Sequence, residues 1–407
     1  MANEIFLLNI SGQDKPGLTS ELTSILADYN AKILDIGQAN IHDTLSLGIL
    51  FEVQSGKKSG AVLKDLLFKS YELDIQAKFT PITLENYEHW VNLQGKDRYI
   101  VTVLGEKFGA KQISEVAKVI SDKKLNIDAI KRLTGRLSLV KNEEYPRACI
   151  QLSIRGELDS KAEITEKFMK ISHDLDVDIA FQEDNIYRRN RRLICFDMDS
   201  TLIQAEVIDQ LAELAGVGDK VKAITESAMN GELEFKESFK RRMKLLRGLS
   251  EDVLHDVAIN LPITKGARRL IDTLKNHGFK TAILSGGFTY FGDYLKKELG
   301  IDYIYANQLE IKDGVLTGGY LGEIVDGIKK AEYLKEIAIN EGIHIGQTIA
   351  VGDGANDLPM LNIAGLGIAF HAKPAVKDNA QNSISSIGLD GILYLLGYHD
   401  RHIDLLD

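Results

Sequence analysis

The hydrophobic positions of the first 185 residues form two similar series. Glu4–Ile10 (EIFLLNI) is an apolar run of strand type. A turn of Gly, Asp and Pro follows, and then Leu18, Leu22, Ile25 and Leu26 recur at the spacing of a helix buried on one face. Two strand-like runs (AKILDIGQANI and TLSLGILFEV), a helix near 60–72 and a closing strand (IQAKFTPI) complete the order βαββαβ. About 94 residues later the series recurs with YIVTVL, a helix over 111–122, LNIDAIKRL, CIQLSIRG, a helix near 159–174 and VDIAFQED. Each copy predicts a ferredoxin-like α+β unit, the first over residues 1–84 and the second over 95–184.

From Leu193 the pattern changes. LICFDMD, TAILSGG and TIAVGDG are β-branched apolar runs that end in Asp, Ser or Gly before a helical pattern. Such runs are the strands of a doubly wound parallel sheet, covered on both faces. The fold class is therefore α/β for residues 193–407, with a core of its own and a helical insert over about 206–264 as a small cap. In such sheets ligands bind at the carboxyl ends of the strands, so the polar residues closing the three runs are expected to meet. Between the halves, Asn185–Arg192 (NIYRRNRR) is polar and basic and is taken as a solvated linker, not a phosphate site.

Charge narrows the function classes. The chain of 407 residues carries a formal charge of −10, shared as −5 in residues 1–185 and −5 in 186–407. No basic half or tail is present to bind nucleic acid or an anionic membrane. The longest uncharged run, residues 358–372, is broken by Pro359, Asn362, Gly365 and Gly367 and is too short to span a bilayer. The N-terminal segment has no positive n-region and meets Asp14 and Lys15 early, which predicts no signal peptide. Two cysteines, Cys149 and Cys195, sit in apolar strand-like surroundings and are expected as buried reduced thiols without a role in chemistry. A cytoplasmic protein is expected.

Candidate chemistry lies at the three strand ends. Asp197-Met198-Asp199-Ser200-Thr201 sets two carboxylates at i and i+2 on an extended tip, where a cation or a split in protonation states must justify them. One can serve as nucleophile and the other as general acid; the plain alternative is a turn with helix N-caps. Ser285-Gly286-Gly287 offers a hydroxyl and backbone N–H donors suited to a phosphate oxygen, and equally reads as an ordinary turn. Gly352-Asp353-Gly354-Ala355-Asn356-Asp357 adds two carboxylates at i and i+4. A carboxylate-rich, oxygen-only set suits Mg²⁺. Lys329-Lys330 precedes a helix and can hold phosphate charge or simply begin a solvated helix.

The ordered set DxDST, SGG, Lys and GDGxND, each beside an apolar strand, resembles the haloacid dehalogenase superfamily of phosphotransferases. Through Leu193–Gly391, including DMDSTLIQAEVIDQLAELAGVGDKV and ITESAMNGELEFKESFKRRMKLLRGL, it is similar to the phosphoserine phosphatase branch. The resemblance implies that Asp197 attacks phosphorus and that Asp199 protonates the leaving seryl oxygen and later activates water. It implies Mg²⁺ held by Asp197, the main-chain carbonyl of Asp199 and Asp353. It further implies that Lys330, Ser285 and Gly286 neutralise phosphate charge, with Asn356 and Asp357 orienting the metal surroundings and Lys330. In the cap, Glu206 is implied for the substrate ammonium, Arg242 for its carboxylate, and Phe235 and Met229 for apolar contacts; the neighbouring Arg241 is the competing assignment.

The N-terminal repeats resemble ACT domains, which bind amino acids and pair in oligomers. The first carries Gly12-Gln13-Asp14-Lys15-Pro16-Gly17-Leu18-Thr19, a loop of that family, so Asp14 and Gly17 are the implied effector positions. The second has Gly105-Glu106-Lys107-Phe108-Gly109 and lacks the Asp and Pro. Together these imply hydrolysis of O-phospho-L-serine as the last step of L-serine biosynthesis, a homodimer paired through the ACT domains, and L-serine as a possible feedback effector. The alternatives are phosphoryl transfer to another hydroxyl, such as homoserine, and an amino-acid-sensing protein whose phosphatase half is inert.

Overall fold

The computed structural model describes residues 3–136, 140, 147–229 and 232–403, with the side chains of Gln94 and Met229 outside that description. Among the described residues, no helix is long and apolar enough to cross a membrane. The chain divides into two compact units, one ending at Lys96 and the other beginning at Asp97.

The first unit runs β1 (Asn3–Gln13), α1 (Leu18–Asp28), β2 (Lys32–Ile41), β3 (Thr44–Gln54), α2 (Lys57–Glu72), β4 (Ile75–Ile82) and α3 (Leu84–Asn92). Its antiparallel sheet has the order β2-β3-β1-β4. Strand β3 alternates strictly, burying Leu45, Leu47, Ile49, Phe51 and Val53 against Leu18, Leu22 and Leu26 of α1 and Val62 and Leu66 of α2. The edge strand β2 is exposed along almost its whole length.

The second unit begins with the other repeat: β5 (Arg98–Gly105), α4 (Ala110–Asp122), β6 (Asn126–Arg132), β7 (Ala148–Arg155), α5 (Lys161–Leu175) and β8 (Asp178–Glu183), with sheet order β6-β7-β5-β8. Part of the loop between β6 and β7 lies outside the described residues. A short helix α6 (Ile186–Arg189) leads to β9 (Leu193–Phe196). Four helices form the insert, α7 (Val207–Leu214), α8 (Gly218–Met229), α9 (Phe235–Leu245) and α10 (Asp252–Ile259). Then come α11 (Ala267–Asn276), β10 (Lys280–Phe288), α12 (Thr289–Leu299), β11 (Tyr303–Lys312), β12 (Val315–Leu321) and α13 (Gly327–Asn340). The chain closes with β13 (Thr348–Gly352), α14 (Leu358–Ile363), β14 (Leu366–Phe370), α15 (Pro374–Lys377), β15 (Asn382–Ile384), α16 (Ile392–Leu395) and α17 (Asp400–Ile403).

These strands form one seven-stranded sheet, β12-β11-β10-β9-β13-β14-β15, parallel except for β12. All four residues of β9 are buried, as expected for a central strand covered on both faces. Strand order reverses around β9, which makes its carboxyl end the place where ligands bind in such sheets. The insert leaves and re-enters the sheet domain on adjacent segments, since Ile203 bridges Ile263 and Gln204 N–H donates to the Pro262 carbonyl. The β11–β12 hairpin, which sequence periodicity does not single out, supports the insert: Ser250 bridges Val315, and Tyr320 meets Phe239 edge-on.

Two expectations change here. The second repeat does not stand apart from the sheet domain, because Leu104, Leu133, Cys149 and Ala180 belong to the same buried cluster as Ile194, Phe196 and Ile384. The buried Asp178 carboxylate accepts from the Ser385 and Ser386 amides and the Ser386 hydroxyl, and Gln182 donates to the Leu395 carbonyl at 3.0 Å. Nor is the basic segment a fully solvated linker, although six of its eight residues are exposed. Arg188 and Arg191 are buried, because the domains on either side of them pack directly together. Accordingly, removing residues 1–96 should leave a soluble fragment that melts cooperatively, whereas removing 1–184 exposes these apolar and hydrogen-bonding surfaces. Size-exclusion chromatography and thermal unfolding should find the longer deletion aggregated or melting well below the shorter one.

Candidate active site

Strand register assembles the site. Phe196 of β9 lies opposite Ile283 of β10 and Val351 of β13, so Asp197, Ser285 and Asp353 emerge at one edge of the sheet. The chain then turns sharply. Ser200 takes a positive φ of 56°, the Asp197 carboxylate accepts from Met198 N–H at 2.7 Å, and the Asp199 carboxylate accepts from Val207 N–H at 3.1 Å. The turn is thus pinned by the same carboxylates it presents.

Opposite it, the start of α13 supplies Lys330, whose side chain is fully buried. Its ammonium lies 2.8 Å from Asp197 Oδ1 and 2.7 Å from Asp357 Oδ1. Burial alone would lower its pKa; the two carboxylates outweigh that and hold it above the ordinary lysine value. The adjacent Lys329 instead pairs with Glu323 and Glu332.

Acids outnumber bases in this cluster. Burial, reinforced by Glu206 and Asp197, pushes Asp199 well above the usual carboxylate range. Burial and the Asp197 charge raise Asp353 to about 8 and Asp357 to about 7, the latter opposed by Lys330. Glu206 is raised chiefly by burial, although it accepts a 2.7 Å hydrogen bond from the Ser200 hydroxyl. A site that holds this many carboxylates in so little water calls for a further cation. Oxygens of Asp197, Asp353 and Asp357 lie within 4.8 Å of one another. Both Asp357 oxygens already accept, from Lys330 and from Gly354 N–H at 2.9 Å, which makes Asp197 and Asp353 the more available donors. An all-oxygen carboxylate set of this kind fits Mg²⁺.

The remaining predicted positions surround these groups. Ser285 is buried and its hydroxyl accepts from Gly287 N–H at 2.9 Å. A Cβ on Gly287 would fall 2.6 Å from Asp199 Oδ2, so any side chain there would displace that carboxylate. A Cβ on Gly286 would meet the Phe235 ring of the insert at 3.1 Å, so the insert reaches the phosphate-side loop. Asn356 sits on the turn before α14, its side-chain oxygen against Gly354. Arg241 is exposed and pairs with Glu237 at 2.8 Å. Arg242 is half-buried, its Nε has no partner, and the charges of Asp209, Glu206 and Asp199 act on it. Met229 lies outside the described side chains.

Sequence reasoning gave no role to Thr201, whose hydroxyl donates to Asp353 Oδ1 at 3.1 Å, although it lies inside the DxDST motif. It also missed Asn307, buried on β11, which donates to the Gly286 carbonyl and accepts from Val325 N–H, both at 2.8 Å. A lone Asn far from any motif carries no sequence signal. In the first unit, Gly17 precedes α1 at φ 95°, Asp14 N–H donates to the Asp43 carbonyl, and its carboxylate takes the Asn40 amide. The corresponding loop of the second repeat is closed by Gln112 accepting from Gly109 N–H. The two cysteines are buried and free, and burial pushes both thiols up.

Comparison with known proteins adds three family matches: ACT domains over residues 4–80 and 98–182, and a haloacid dehalogenase-like hydrolase over 194–362. The phosphoserine phosphatase SerB2 of Mycobacterium tuberculosis is 37% identical over 401 residues, covering 98% of this chain and 95% of that protein. The phosphoserine phosphatase of Streptomyces coelicolor is 38% identical over 401 residues, covering 98% and 94%. Among solved structures, a HAD family hydrolase from Salmonella enterica serovar Typhi aligns with a TM-score of 0.62 at 30% identity, over 73% of this chain and 98% of that one. A probable phosphoserine phosphatase from Vibrio cholerae aligns at 0.58 and 36% identity, over 76% and 89%.

Proposed function

Because the chain belongs to the phosphoserine phosphatases, haloacid dehalogenase-like hydrolases here preceded by two ACT domains, we propose that it hydrolyses O-phosphoserine to serine and phosphate through an aspartyl-phosphate on Asp197. The observation that carries this reading is the Lys330 ammonium set between Asp197 and Asp357, beside a half-buried Asp199 whose pKa is raised.

Attack of a carboxylate on a phosphate ester brings two anions together and needs fixed positive charge. Lys330 supplies it next to the attacking Asp197 oxygen, with Ser285 and the Gly286 amide on the other side. As the phosphorus–oxygen bond to serine breaks, Asp199 gives its proton to the leaving oxygen, a task for which a raised pKa suits a carboxyl group near neutral pH. The resulting Asp199 carboxylate then takes a proton from the water that attacks phosphorus, which restores Asp197. Asp197, Asp353 and the Asp199 carbonyl would hold Mg²⁺, which when bound supplies further neutralisation of phosphate charge. Thr201 and Asn307 position Asp353 and the Gly286 loop.

The insert closes over this edge and selects the substrate. Glu206 takes the ammonium group and Arg242 the carboxylate, for which a planar guanidinium is suited. Arg242→Ala is expected to raise KM for phosphoserine at least about tenfold with little change for a phosphate ester lacking a carboxylate. Equal effects on both esters would reassign this arginine.

The ACT domains make an amino acid, with L-serine first among candidates, the natural regulator, acting through Asp14 and Gly17 of the first copy. Exposed Ile33, Ile36 and Ile41 on the edge strand β2 support self-association into a homodimer. The deciding assay measures phosphate release from phosphoserine with Mg²⁺, with EDTA, and with homoserine as competing acceptor. Release that EDTA stops and Mg²⁺ restores supports hydrolysis. Phosphoryl groups recovered mainly on the acceptor would replace it with transfer.

A further inference from the structure

The basic segment before β9 encloses a feature that the catalytic chemistry does not use. A cavity of about 340 Å³ is lined by Arg188, Arg189, Arg191 and Arg192, with Phe279 and Tyr398 among its walls, and no carboxylate lines it among the described residues. Two of these arginines share Asp184: Arg189 holds it at 2.8 Å, and Arg188 reaches it only at 3.9 Å. Four guanidinium groups therefore line the cavity, and two of them share a single carboxylate.

Arg188 is the unusual member. It is 8% exposed, and its Nε and Nη2 have no hydrogen-bond partner. The buried amide nitrogen of Gln151, on β7, is likewise unpartnered. The two donors lie near each other at Gly397, a residue of the cavity wall: a Cβ placed there would lie 3.8 Å from Arg188 Nη2 and 3.9 Å from Gln151 Nε2, although Gln151 itself does not line the cavity. Unpaired buried donors on a cation are costly, and an acceptor carrying negative charge answers that cost best. Arg191 is tied to the Gly346 and Thr348 carbonyls, yet its Nε too is unpartnered. Burial lowers both arginines below the usual range, Arg191 to about 10, as uncompensated burial of like charges requires.

We propose that this cavity is a second, non-catalytic site that binds a phosphate group, either free or carried on a small organic molecule. Phosphate matches the donors: it carries between about one and two negative charges near neutral pH, and guanidinium groups grip it bidentately. The site lies at the amino ends of β9 and β10, the edge opposite Asp197 and Ser285, about 16 Å away along β9 at the usual rise per residue. It joins α6 to the chain after α16, so its occupant ties the segment that follows the second ACT domain to the catalytic domain.

Equilibrium dialysis of the full chain with radiolabelled inorganic phosphate in EDTA tests this, because without a divalent cation the acid-rich catalytic edge repels the anion. Saturable binding of one phosphate per chain is expected, weakened at least about tenfold by Arg188→Gln and by Arg192→Gln. Arg192 is exposed, so its variant decides the matter even where Arg188→Gln fails to fold. Glycerol phosphate binding more tightly than inorganic phosphate assigns the remaining space to an organic phosphate; equal or weaker binding assigns the site to the free ion. No saturable binding below about 10 mM, equal affinity for acetate, or retention of binding in Arg192→Gln would overturn the proposal.

Discussion

Asp197→Asn should lower phosphate release from phosphoserine by about 10⁴-fold or more while leaving a folded protein. An amide cannot form the acyl phosphate, and removing the nucleophile of a covalent mechanism leaves only the contribution of binding and charge. Little structural loss is expected, because Lys330 keeps Asp357 at 2.7 Å and an amide oxygen can still accept from Met198 N–H. The checks are steady-state turnover, thermal unfolding, and trapping of ³²P from labelled phosphoserine on the wild-type chain but not on the variant. Turnover within tenfold of wild type would remove Asp197 from the nucleophilic role.

Lys330→Met should damage both activity and stability. The substitution takes one charge from between two carboxylates that are themselves buried, and breaking a buried pair costs about 3–5 kcal/mol because the partners stay behind uncompensated. Its pH dependence follows from the raised carboxyl groups. Asp357 stands at about 7 in the folded chain against an ordinary value of 3.8, so the folded state holds its proton more tightly than the unfolded state does. Stability from such a group is fully present below the unfolded value and is lost as pH rises through the folded one. Without Lys330 these carboxyls move higher still. In metal-free buffer, the variant's deficit should therefore grow between about pH 6 and 8 and shrink on acidification, as read from unfolding midpoints. A deficit independent of pH would mean that Lys330 acts only by filling space.

Much of this architecture is carried by local pattern. Period-two alternation marks β3, continuous apolar runs mark β9 and β13, and helical spacing marks α1, because each element must bury a face of fixed geometry. Asp197, Asp199, Ser285, Asp353 and Asp357 stand next to such runs, and so the strand ends already point to where they gather. Asn307 could not be found this way: its two bonds, to the Gly286 carbonyl and the Val325 amide, join segments 21 and 18 residues distant. Arg241 and Arg242 are equally basic in composition. Helical phase turns one to solvent and Glu237 and the other toward Glu206 and Asp199.

The sequence by itself determined the two ferredoxin-like repeats, the doubly wound sheet and the set of carboxylates, because these follow from short-range periodicity and from residues that flank single strands. Tertiary structure alone decided that Lys330 rather than Lys329 is buried between acids, that the second ACT domain shares a core with the catalytic domain, and that the arginines before β9 close around a cavity. Each of those outcomes depends on which surfaces far apart in the chain exclude water from one another. Burial of that kind sets the strength of every charge in this protein, and it belongs to the packed chain as a whole.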